Sequence, residues 1–185
     1  MHKIMNFTVA VSFILCTVFT LLLCVFKKGI FLSFAVTFAV IAYHFGVRLL
    51  VGHLYNKFMN NQTDIFQSRY QTRQWENKLY QILKVKKWKD KMPTYDNELF
   101  SPKYHTYEEI AMAMCQSEMV HKTNVILSLV PILATFWFGS LAVFLITSVC
   151  AALFDTVFVV IQRYNRPRII RIVLKQQAKN AQTQL

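Results

Sequence analysis

Four apolar runs, each close to the length of a helix that crosses a bilayer, constrain this chain more than any other feature of its sequence. The first extends from about Phe7 to Phe26 without a charge, and the second from about Ile30 to Leu54, interrupted by His44, Arg48 and His53. Lys27, Lys28 and Gly29 separate them. The third extends from about Val120 to Phe138 and the fourth from Leu141 to Ile161, with only Gly139 and Ser140 between them. A hydrocarbon core of about 30 Å needs roughly 20 mostly apolar residues in one helix, and a helix satisfies its own backbone polar groups there. The chain therefore reads as an all-α integral membrane protein whose four transmembrane helices form two hairpins. The first run is too long for a cleaved signal peptide, and no small-x-small site follows it. Leu21, Leu22 and Leu23 precede Cys24 where a lipoprotein signal needs a small residue, so a retained helix is expected.

Around these runs the sequence divides into an N-terminal hairpin (residues 1–54), a polar segment (55–119), a second hairpin (120–161) and a basic tail (162–185). The polar segment carries ten Lys or Arg against eight Asp or Glu, and the tail six against none. Basic residues near the ends of membrane helices stay in the cytoplasm, so segment, tail and N-terminus are expected on that side of a plasma membrane, with the functional site facing the cytoplasm. Lys27 and Lys28 fall on the opposite side in this arrangement, a conflict that a first hairpin dipping in without crossing would remove. The net charge of +12 does not mark a nucleic-acid groove, because the central bases are nearly balanced by acids. Anionic headgroups or phosphate-bearing substrates account for it. Cys16, Cys24, Cys115 and Cys150 show no C-x-x-C spacing and the five histidines form no metal motif, so no bound metal is expected.

In the polar segment, Phe66, Tyr70, Trp75, Leu79, Ile82 and Leu83 recur at roughly helical spacing, which predicts an interfacial helix from about Ile65 to Leu83. It leads into Lys84-Val85-Lys86-Lys87-Trp88-Lys89-Asp90-Lys91, either a solvated basic run or, because of its indole, a built site. Thr106 with Glu109 has the form of a capping box and predicts a helix running through Ile110 and Met114 into the third span. On that helix Glu118, His121 and Asn124 follow one another at three-residue steps, placing a carboxylate, an imidazole and an amide near one face at the membrane boundary. Glu118 and His121 are either an anchoring pair or a catalytic one, with His121 as general base oriented by Glu118. Asp155, about two turns inside the fourth span, is expected to pair with an arginine or with His44 or Arg48. Pro167 predicts a bend and a new interfacial helix showing Ile169, Ile170, Ile172, Val173 and Leu174 to lipid. Arg163, Arg166 and Arg168 around it are either a stop-transfer cluster or a fork for phosphates.

The combination of Lys87-Trp88-Lys89-Asp90-Lys91, Glu118-Met119-Val120-His121, Pro131 and the run Gln162-Arg163-Tyr164-Asn165-Arg166-Pro167-Arg168 resembles the glycosyl-4,4'-diaponeurosporenoate acyltransferase family, small bacterial membrane proteins of the staphylococcal carotenoid pathway and its relatives. The resemblance runs in order from about Trp75 to Leu174. It implies a membrane acyltransferase that moves a fatty acyl group from a thioester donor, acyl-coenzyme A or acyl carrier protein, to a hydroxyl or amine of a membrane lipid or glycolipid acceptor, with no bound cofactor. Carried over by position, it implies one site made of Trp88, Lys89, Lys91, Glu118, His121, Gln162, Arg163, Tyr164, Asn165, Arg166 and Arg168. Within it His121 and Glu118 are expected to be catalytic and the rest to bind substrate, with Lys89, Tyr164 or Asn165 able to hold an oxyanion. The H-x-x-x-x-D motif of glycerolipid acyltransferases is absent, since Lys122, Thr123, Asn124, Val125 and Ile126 follow His121. No serine or cysteine is visibly paired with His121, which favours direct transfer, with Cys115 as the residue able to overturn that. The rivals are a non-enzymatic lipid-binding or assembly protein and a small exporter.

Overall fold

The computed structural model describes residues 2–92 and 98–183, and among them every regular element is a helix: α1 His2–Phe26, α2 Gly29–Met59, α3 Gln74–Ile82, α4 Val85–Trp88, α5 Tyr107–Leu127, α6 Thr135–Phe138 and α7 Leu141–Thr183. Four stretches are long and apolar enough to cross a membrane: Lys3–Phe26, Gly29–Met59, Tyr107–Phe138 and Leu141–Gln182. The protein is an integral membrane protein. At 1.5 Å per residue α7 is ~65 Å long, about twice a hydrocarbon core, so its C-terminal half lies beyond any single crossing. The chain folds as two compact units, residues 1–54 with 124–153 and residues 55–123 with 154–185.

In the first unit Phe19 of α1 stacks on Phe34 and Phe38 of α2, ring centroids 4.9 and 5.7 Å apart. Phe7, Phe13, Ile14 and Leu21 point outward, where lipid rather than water is the favourable neighbour. Hydroxyls in these helices find partners on their own helix: Thr8, Thr17 and Thr20 donate to the carbonyls of Ile4, Phe13 and Cys16 at 2.8–3.0 Å. The third span is not one uninterrupted helix. Pro131 lacks the N–H that would reach the Leu127 carbonyl, so α5 ends there and a 3₁₀ turn, Val130–Ala134, leads into α6. The hydroxyl of Tyr43 on α2 donates to that carbonyl instead, at 2.9 Å. Gly139 (φ +68°) and Ser140 (φ +54°) then make the expected two-residue reversal into α7.

In the second unit Ile65, Tyr70, Ala111, Cys115 and Val173 form the core, with Ile169 and Ile170 packed against it. The capping box forms as expected: Glu109 N–H donates to Thr106 Oγ1 at 3.2 Å, and Thr106 N–H to Glu109 Oε2 at 2.8 Å. Two expectations fail, both because of arginines on α7. The continuous helix from Ile65 to Leu83 is replaced by a 3₁₀ turn, Ser68–Tyr70, an extended link and α3. Here the carbonyls of Arg69 and Gln71 accept from Arg163 at 3.1 and 2.9 Å, and that of Tyr70 from Arg166, in place of a helical ladder. The predicted break at Pro167 does not occur either, since α7 continues through it. Side chains before and after the proline, Arg163, Arg166 and Val173, are held by this unit, which outweighs a cost of about 3 kcal/mol for an internal proline. Ile169, Ile170 and Val173 consequently face protein rather than lipid.

The same two arginines meet two buried carboxylates. Arg163 forks onto Glu76 (Nε–Oε2 2.9 Å, Nη2–Oε1 2.5 Å) and reaches Glu118 Oε1 at 2.8 Å. Arg166, with no exposed side chain, pairs with Oε2 of Glu118, while Lys122 joins Arg163 at Oε1, 2.5 Å away. Tyr80 donates to Glu76 Oε2 at 2.6 Å. Burial pushes the Glu76 carboxyl up, but hydrogen bonds from Arg163 and Tyr80 outweigh it and hold the group below the usual range.

Stranding Glu118 and the Tyr70 carbonyl by Arg166→Ala should lower stability by about 3–5 kcal/mol, whereas Lys122→Ala, at the exposed contact to the same carboxylate, should cost about 1 kcal/mol or less. Thermal unfolding in detergent measures the difference. A depressed Glu76 pKa contributes stability that is complete above its unfolded value of about 4.3 and is lost as pH falls through the lower folded value. A Glu76→Gln protein should show a shallower loss of stability than the parent below about pH 4 in the same measurement.

Candidate functional site

Within the second unit, polar residues on one face of α5 meet a stripe on α7 spaced at three and four residues, Asp155, Phe158, Gln162 and Arg166, with Arg163 beside Gln162. The two helices run in opposite directions along this seam. Asp155 meets His121, Gln162 Nε2 donates to Ser117 Oγ at 3.2 Å, and Arg163 and Arg166 close on Glu118. Buried polar groups need partners, and the seam supplies Asp155, Gln162 and the Glu118 carboxylate with theirs in register.

Asp155 Oδ1 lies 2.9 Å from His121 Nδ1. Phe158, one turn along α7, stacks on the imidazole with centroids 4.8 Å apart and an interplanar angle of 14°, and Phe154 meets Phe158 edge-on. The Asp155 side chain is 1% exposed, whereas His121 keeps 23% of its surface open. An ionised carboxylate only accepts, so the bond assigns the proton to Nδ1 and leaves the Nε2 lone pair as the basic site. Ring orientation is fixed by the carboxylate at one edge and the phenyl face beneath.

The expected Glu118–His121 pair is not formed. Three cations take the Glu118 oxygens, leaving imidazole orientation to Asp155. Asp155, for which the sequence suggested an arginine, His44 or Arg48 as partner, also meets His121, and its place seven residues before Gln162 puts both on one face of a helix. Cys115 is fully buried in the core cluster.

Beyond the arginines, the unit opens into a cleft of about 870 Å³, within the range of small-molecule sites. Lys84, Lys86 and Lys87 line it together with Tyr164, Arg168 and Arg171 of α7. Arg168 lies over the Tyr164 ring at 4.4 Å and donates to its hydroxyl at 2.7 Å. Tyr164 in turn meets the edge of Tyr80, 5.4 Å between centroids. Of the residues expected to bind substrate, Arg163, Tyr164 and Arg168 line the cleft, but Arg163 is largely engaged by Glu76 and Glu118. Arg166 and Gln162 are buried in the seam, and Asn165 is half-buried on the same turns. Trp88 does not line the cleft: its Nε1 donates to the Leu83 carbonyl at 2.8 Å, and Lys84, Lys86 and Lys87 line it instead. Lys89 pairs with Asp90 at 2.5 Å, and Lys91 ends the short 3₁₀ turn that follows.

Comparison with protein families matches residues 66–175 to the model described as glycosyl-4,4'-diaponeurosporenoate acyltransferase. The matched stretch contains the arginine-bridged carboxylates, the Asp155–His121 pair and the cleft. Comparisons with curated proteins and with solved structures give no match. A family match over more than half of the chain, on the stretch that builds the site, shows that this chain belongs to the glycosyl-4,4'-diaponeurosporenoate acyltransferase family and is a membrane acyltransferase.

Proposed function

We propose that the enzyme moves a fatty acyl group from a thioester donor, acyl-coenzyme A or acyl carrier protein, directly to a hydroxyl or amine of a lipid-linked, sugar-bearing acceptor. His121 is the general base and Asp155 positions it. The observation that carries this reading is the 2.9 Å contact of Asp155 Oδ1 with His121 Nδ1 in a setting where Nε2 stays available. Nε2 removes the acceptor proton as the acceptor atom attacks the thioester carbonyl carbon. The tetrahedral intermediate then collapses, the C–S bond breaks, and the imidazolium returns the proton to the departing thiolate. An ester or amide and a free thiol result. General-base assistance of this kind contributes roughly 10²- to 10⁴-fold. Burial of Cys115 supports direct transfer over an acyl-cysteine. The weight of basic residues in 55–119 and in the tail supports a cytoplasmic site.

His121→Ala should lower turnover by about 10² or more in protein that still folds. Asp155→Asn offers an amide that can donate to Nδ1 and so place the proton on Nε2, and turnover should fall comparably. Both are read in an acylation assay with purified protein, donor thioester and a glycolipid acceptor. A stable His121→Ala protein with nearly full activity would remove the general base from this scheme. Glu118→Gln separates the two carboxylates: it should act on stability first, because its partners are arginines of the scaffold.

A further inference from the structure

The cleft beyond the arginines contains five cations that the acid–base chemistry does not use. We propose that Lys84, Lys86, Lys87, Arg168 and Arg171 form a binding site for a phosphate-bearing anion with at least two negative charges. No acidic residue lines the cleft, and among the described residues none of these five forms an ion pair. Lysines on a flat surface would be an ordinary headgroup-facing run, but here the backbone is constructed to present them. Lys84 sits in the left-handed region (φ +50°, ψ +40°), a conformation uncommon for a residue with a side chain. Val85, the next residue, is completely buried, and Trp88 ties its indole N–H back to Leu83. The turn that carries the lysines is therefore pinned at both ends.

The opposite wall is equally fixed. Tyr80 is held by Glu76, Glu76 by Arg163, and the Tyr164 ring carries the Arg168 guanidinium on its face. Stacking orients that planar fork while leaving N–H groups for an oxyanion. Converging, unneutralised cations on rigid supports suit phosphate oxygens. Two sources share that chemistry, the phosphates of a soluble nucleotide-bearing thioester and those of an anionic lipid headgroup. The first rests on the acyl-transfer reading given above. It places the phosphate end of the donor about three turns of α7 beyond Phe158, the residue on which His121 stacks, so that the thioester extends back toward the imidazole.

Calorimetric titration of the full chain in phosphatidylcholine nanodiscs with coenzyme A, and unfolding in discs with and without phosphatidylglycerol, test the site. The variants are Lys86→Gln/Arg171→Gln, at exposed positions, and Lys84→Asn, a residue that tolerates the left-handed backbone. Binding of coenzyme A that weakens at least tenfold in both variants, and falls with added salt, supports the site with a soluble donor. Absence of coenzyme A binding together with a phosphatidylglycerol-induced rise in unfolding temperature that the variants lose supports it with a lipid source. Identical behaviour of parent and variants toward both probes overturns it. The same titration on His121→Ala keeps the two readings apart, since an inactive protein that binds coenzyme A as the parent does supports the cleft independently of the base.

Discussion

Two guanidinium groups one turn apart on α7 hold the second unit together. Arg163 and Arg166 gather two glutamates and three successive backbone carbonyls from segments about 45 to 95 residues away in sequence. Ion pairs removed from water gain little by charge alone, because desolvation offsets most of the attraction, yet a half-made pair is severely unfavourable. Such a cluster therefore selects one arrangement over its neighbours more than it deepens the well. With Arg163 and Arg166 engaged, residues 69–71 follow the route of a non-helical link, α3 begins at Gln74, and the seam between α5 and α7 is set in the register that brings Asp155 to His121.

That register explains why Glu118, the residue nearest in sequence to His121, does not orient it. A carboxylate three residues away on the same helix has only the local helix geometry to offer, and here two arginines and a lysine compete for it. Asp155 comes from the facing helix and approaches the imidazole edge where Phe158 already supports the ring. Family membership establishes acyl transfer as the activity, and the matched stretch includes the α5 and α7 residues of this seam.

Much of the fold is legible in the residues themselves. The apolar runs locate four spans because the bilayer demands a length, the Thr106–Glu109 box marks the start of α5 because its bonds are local, and Gly139 marks the reversal because its backbone must turn left-handed. Failures fall where distant groups override local rules. The apolar spacing from Phe66 onward is helical, but guanidiniums from α7 claim the carbonyls a helix would use. Pro167 has every local property of a helix break, and α7 nevertheless continues through it, held on both sides of the proline. His121 stood out as a polar residue at the edge of the third span from its type and place, whereas its contact with Asp155 required the pairing of two helices. The basic run around Trp88 showed its charge but not which side chains face the cleft, because the left-handed turn at Lys84 decides their direction.

The continuity of α7 makes it a ruler. Asp155 and Arg168 stand thirteen residues apart on one uninterrupted helix, so the Asp155–His121 pair and the basic cleft are separated by about 20 Å along its axis, a spacing set by helical rise. A bend at Pro167 would have left this separation adjustable. On the proposed reading the enzyme measures the stretch of donor between its phosphates and its thioester, and the acyl chain beyond the thioester lies outside the measured interval. Selectivity for carrier and selectivity for chain length then reside in different parts of the molecule and can change independently.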